Sequence, residues 1–145
     1  MPDGRDEGRR VAGEPLIVGC DHPLPEAARA AVALFNAGEY YAQHDAFEAL
    51  WRDERGPVRD LYRAVLQVGV GYYQITRGNE RGAWKMLRRA ERWLARLPDV
   101  CQGIDLAALR TAAAAVRVEL ERRAQLADTP PFDLTLLQPV RMIDD

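Results

Sequence analysis

The chain has 145 residues, a length that suits one domain, and its 48% hydrophobic and 29% charged residues exclude global disorder. Twenty basic residues against twenty-two acidic ones give a formal charge of −2, which argues against a generally basic nucleic-acid-binding surface. No run approaches the eighteen or so apolar residues of a transmembrane helix, and the polar start lacks the apolar core of a secretory signal, so a cytoplasmic protein is expected.

Residues 1–14 carry Pro, Gly and mixed charge without apolar periodicity and are expected to form a flexible tail, with one helical domain over 15–145. Cys20 and Cys101 belong to no Cys-x-x-Cys pair, and two reduced thiols are expected.

Pro25 opens a first helix to Ala37, with Ala28, Ala31, Leu34 and Phe35 at helical spacing and Gly38 fitted to the left-handed position beyond its end. A second helix runs from Glu39 to Glu54 and stops at Gly56-Pro57. The third extends from Pro57 to Arg77; Val58, Leu61, Val65, Val68, Tyr72 and Ile75 form one stripe, with Tyr62, Leu66, Gly69 and Tyr73 beside it. So wide an apolar arc marks a central helix. Gly69 and Gly71 inside it each cost up to about 1 kcal/mol relative to Ala, which makes sense where another helix or a large side chain approaches closely. A buried Tyr62 hydroxyl needs a partner.

Gly78-Asn79 reads as a stop and a new cap. A fourth helix follows, with Ala83, Leu87, Ala90, Leu94 and Leu97 inward and Arg88, Arg89, Arg92 and Arg96 toward water. Asp105 caps a fifth helix with Leu106, Leu109, Ala113, Val116 and Leu120 buried, closed by Thr129-Pro130-Pro131. The remainder, Phe132 to Asp145, is aperiodic and is expected to lie across the bundle as an irregular arm. No strand pair stands out. The expected fold class is all-α, a compact bundle of about five helices.

One constellation carries possible chemistry. Tyr40, His44, Glu48 and Trp51 recur at spacings of four, four and three, which places them on one face of the second helix, with Asp45 at its edge. An imidazole and a carboxylate at i, i+4 can share a proton or a metal ion, so His44 and Glu48 are the candidate catalytic residues. A catalytic zinc needs three protein ligands, and the only other histidine is His22. The metal reading of His44 and Glu48 is therefore the weaker alternative, and no cofactor is required. Gln67 and Gln74 lie on the flank of the third helix and, with Tyr40, Asp45 and Trp51, are the candidate lining of a ligand pocket.

Several blocks carry a family resemblance: Phe35-Asn36-x-Gly38-x-Tyr40-x-x-x-His44-Asp45-x-x-Glu48-x-x-Trp51, then Gln67, then Arg77-Gly78-Asn79-x-x-Gly82-Ala83, then Gly103-Ile104-Asp105. Over about residues 30 to 110 the chain resembles domain-of-unknown-function family three hundred and nine. The resemblance implies an all-helical domain without an established activity. His44, Glu48 and Trp51 match the family's signature helix, and Gln67 matches the glutamine of the next. Asp45 replaces a frequent Glu, Gln74 stands where many members carry a second His, and Ala64 replaces a Gly. The reading favoured is a non-catalytic structural or protein-interaction module, self-associating, with a semi-buried His-Glu-Trp cluster; the alternative is a metal-dependent hydrolase-like or small-ligand site on His44 and Glu48.

Overall fold

The computed structural model describes residues 17–143, so the expected tail over residues 1–14 lies outside the described part. Five α-helices make up most of it: α1 (Glu26–Asn36), α2 (Tyr40–Asp53), α3 (Arg59–Thr76), α4 (Glu80–Leu94) and α5 (Leu106–Arg123). Each helix packs on its successor in the chain. The fold class is all-α, and no helix among the described residues is long and apolar enough to cross a membrane.

The two tight corners share one device. After α1, Gly38 sits at φ +79, its N–H donates to the Phe35 carbonyl, and the Glu39 N–H reaches back to Leu34. After α3, Gly78 sits at φ +78 and donates to Ile75 while Asn79 reaches back to Gln74. Both are left-handed caps that satisfy the last carbonyls of a helix. Asn79 then starts α4 by accepting from the Gly82 N–H at 3.0 Å.

α3 is the central helix. Leu61, Val65, Val68, Tyr72 and Ile75 are buried, as are Tyr62, Gly69 and Gly71 beside them, each large apolar side chain contributing about 1.5–3 kcal/mol. The two interior glycines are there for close approach. A Cβ at Gly71 would stand 2.9 Å from Leu87 Cδ2 of α4, and one at Gly69 would overlap the Gln43 amide of α2.

Three expectations need correction. First, Cys20 and Cys101 are not thiols but form a disulfide across 81 positions, with Cα atoms 4.3 Å apart. The bonds that bring the segments together come from Gln102, whose N–H donates to the Cys20 carbonyl at 2.7 Å. Its side chain donates to Gly19 O at 3.1 Å and accepts from the Tyr62 hydroxyl at 2.9 Å. A separation of 81 leaves no local pattern from which to infer this pairing.

Second, a short strand pair exists: β1 (Val100–Cys101) and β2 (Ile104–Asp105) pair antiparallel across Gln102-Gly103. Those two residues take φ +49 and +79, the positive values a two-residue hairpin turn requires. Third, α5 stops at Arg123, six residues before Thr129-Pro130-Pro131, because Ala124, Gln125 and Leu126 turn back on the last helical carbonyls. The C-terminal arm is irregular apart from a short 3-10 turn at Leu134–Leu136. It returns to α1, where the Asn36 side chain bonds both N–H and carbonyl of buried Val140, and a bridge joins Met142 to Ile104.

Candidate functional site

Helical spacing on α2 sets the candidate site. His44 and Glu48 are one turn apart, and Nε2 of His44 lies 3.1 Å from a Glu48 carboxylate oxygen. The other ring nitrogen, Nδ1, lies 3.2 Å from Asp45. Glu48 in turn accepts from Arg52, another turn along. The result is a run of polar contacts, Asp45, His44, Glu48 and Arg52, on a single helix. His44 and Glu48 are half-buried, with side-chain exposures of 32% and 33%, and Asp45 is exposed.

The aromatic residues distribute differently from a simple row. Tyr40 is buried in the core, edge-on to Phe35 and Tyr72 with ring centres 5.4 and 5.7 Å away. Burial raises its hydroxyl pKa and raises that of Tyr72 further. The ring paired with His44 is Tyr41, at 6.1 Å between centres, itself against Tyr73. Trp51, at the end of α2, lies under two guanidinium groups of α3: Arg63 at 4.4 Å and Arg59 at 4.9 Å. The structure thus brings His44, Asp45 and Glu48 together, and sets Tyr40 in the core and Trp51 among arginines.

The two glutamines also part. Gln67 keeps its side-chain oxygen buried without a donor among the described residues. Gln74 sits at the exposed end of α3 and accepts from the Asn79 side chain at 3.1 Å. The fully buried polar residue is instead Gln43, which donates to the Tyr40 and Leu66 carbonyls and so ties α2 to α3. Sequence reasoning missed it, although position 43 is three residues after Tyr40 and four before Phe47, inside the buried arc of the helix. Missed too were Arg59 and Arg63; Arg63 also lies 4.3 Å from the Trp93 ring.

Chemically, the strip on α2 can bind and position: Nδ1 of its imidazole hydrogen-bonds Asp45, and Nε2 lies 3.1 Å from Glu48. A carboxylate only accepts, and both ring nitrogens lie near carboxylates of the same helix. Among the described residues no three His, Cys, Asp or Glu side chains group around a possible metal position, and His22 approaches Asp21 at 3.9 Å instead. A cleft of about 550 Å³ lies elsewhere, between the start of α4 and the end of α5, lined by Glu80, Trp84, Leu120, Arg123 and Leu126 among others. It includes none of the α2 residues.

No curated protein matches the chain. Residues 28–86, from α1 into the first half of α4, match the family model described as a domain of unknown function, DUF309, the same family that the signature blocks of the sequence resemble.

Proposed function

We propose that the chain is a non-catalytic helical interaction module. One observation supports this above the others: both ring nitrogens of His44 lie against carboxylates of its own helix, 3.1 and 3.2 Å away. A general base or a metal ligand needs a lone pair directed at something other than its own helix. The polar strip instead fixes the outer face of α2, while buried Gln43 joins that helix to α3 from within. The module then offers a rigid, half-polar surface on which a partner can dock.

Titrating the full chain with zinc after chelator treatment tests the reading, alongside His44→Ala and Glu48→Gln. The expected result is no saturable uptake by any of the three and intact helical circular dichroism throughout. Stoichiometric zinc uptake that disappears in both variants would transfer the case to a metal-dependent site on His44 and Glu48.

A further inference from the structure

At the end of the bundle where α2 finishes, α3 begins and α4 finishes, arginines and tryptophans alternate. Arg59 lies 4.9 Å from the centre of the Trp51 ring and Arg63 4.4 Å from it. Arg63 is also 4.3 Å from the centre of Trp93, and Arg96 is 4.9 Å from that same ring. Three guanidinium groups and two indoles form one continuous stack.

The stack differs from two salt-bridged arginines of α5 in what it lacks. Arg117 is held by Glu91 and Glu121, and Arg123 by Glu80. Among the described residues no carboxylate forms an ion pair with Arg59, Arg63 or Arg96. Two N–H donors in the stack, Trp51 Nε1 and Arg59 Nε, are buried without an acceptor, and such orphan donors are rare. Three positive charges therefore stand together on a chain whose net charge is −2.

We infer that this stack is the docking surface for an acidic peptide segment of a protein partner. Arg and Trp are the residue types most enriched in the energetic centres of protein interfaces. The indoles hold the guanidinium groups in place, so less side-chain entropy is lost when a carboxylate binds. The charges are strung out between rings instead of converging on one point, an arrangement that suits successive carboxylates along a peptide better than a lone phosphate. Single-stranded nucleic acid binds by stacking its bases on free aromatic faces, whereas both indoles here are already covered by arginine. This inference rests on the interaction-module reading and specifies its partner.

The test titrates the full chain with hexaglutamate at low salt, following tryptophan fluorescence, with inorganic phosphate and oligothymidylate as separate arms. Saturable hexaglutamate binding that weakens with added salt is expected. The double variant R59Q/R63Q should lose at least about tenfold in affinity, while R29Q/R89Q, which removes the same charge from exposed positions on α1 and α4, should bind like the parent. Circular dichroism establishes that both variants are folded, and R63K, which keeps the charge without the planar fork, should fall between parent and double variant. Equal losses in both double variants, tighter binding of phosphate or oligothymidylate than of hexaglutamate, or no saturable response would each overturn the assignment. A hexaglutamate response that depends on His44 and not on Arg59 and Arg63 would overturn this surface and leave the interaction module standing. Zinc uptake in the experiment above would strike the module itself.

Discussion

The side-chain amide of Gln43 in α2 occupies the space that a Cβ on Gly69 in α3 would fill. Alanine is the better helix former by about 1 kcal/mol, so Gly69→Ala in an open helix would stabilise. Here the methyl group displaces a buried amide from its bonds to the Tyr40 and Leu66 carbonyls. Overpacking costs about 1–3 kcal/mol and a lost hydrogen bond about 1 kcal/mol, which outweighs the propensity gain. Gly69→Ala should destabilise by about 2 kcal/mol in urea unfolding. Adding Gln43→Ala opens room for the methyl, so the double variant should be more stable than the sum of the single losses by about 1–3 kcal/mol. Additive losses would mean that the two residues are not in contact.

This pair also marks where the sequence stops being informative. The stripe from Val58 to Ile75 and the caps at Gly38, Gly78 and Asn79 follow from local rules, because periodicity and left-handed turns are written into neighbouring residues. The partner of the Tyr62 hydroxyl is not local: it is Gln102, forty residues away. The same holds for Cys20 with Cys101 and Asn36 with Val140. At the candidate site, the i, i+4 spacing correctly brings His44 beside Glu48. A single-helix wheel cannot tell that Tyr40 meets Phe35 and Tyr72, or that Trp51 meets Arg59 and Arg63, since those neighbours come from other helices.

His44→Ala should be mild. Its ring nitrogens lie against half-buried Glu48 and exposed Asp45, and even a fully charged pair in such surroundings contributes only about 0–1 kcal/mol. Glu48 also keeps Arg52 when the imidazole is removed. Urea unfolding of the variant should therefore show a loss below about 1 kcal/mol. A loss of several kcal/mol would place His44 in the core network with Gln43 instead of on the outer strip.

Acid sensitivity should trace in part to Glu80. The buried Arg123 guanidinium donates to both of its oxygens at 2.8 Å, and these bonds hold the carboxyl below its ordinary value of 4.5. The unfolded chain therefore binds the proton more readily, so the stabilisation is complete above the ordinary carboxylate range and is lost as pH falls through the folded value. Unfolding free energy measured from about pH 5 downward should fall. Glu80→Gln should be less stable at neutral pH and show a shallower fall, because one linked proton has been removed. Parallel acid profiles for parent and variant would show that the ion pair is not linked to folding.

The disulfide is the remaining test of how the N-terminal loop is held. Cys101 is fully buried, and its bond to Cys20 joins the loop before α1 to the hairpin before α5. Without it, the loop still has the two bonds from Gln102 to Gly19 and Cys20, and Gly19 still lies against Val58 at the start of α3. Those contacts favour the same docking, but they no longer restrict the unfolded chain. A bridge across so many residues contributes about 2–4 kcal/mol, much of it by that restriction. The double variant Cys20→Ala/Cys101→Ala should retain its helical circular dichroism and lose stability within that range in urea. Hydrogen exchange separates local from global effects: the Gln102 amide, which donates to Cys20, should lose protection before the α3 amides do. Protection lost equally in both places would mean that the bridge supports the whole bundle, and an unchanged unfolding midpoint would mean that the Gln102 bonds alone secure the loop.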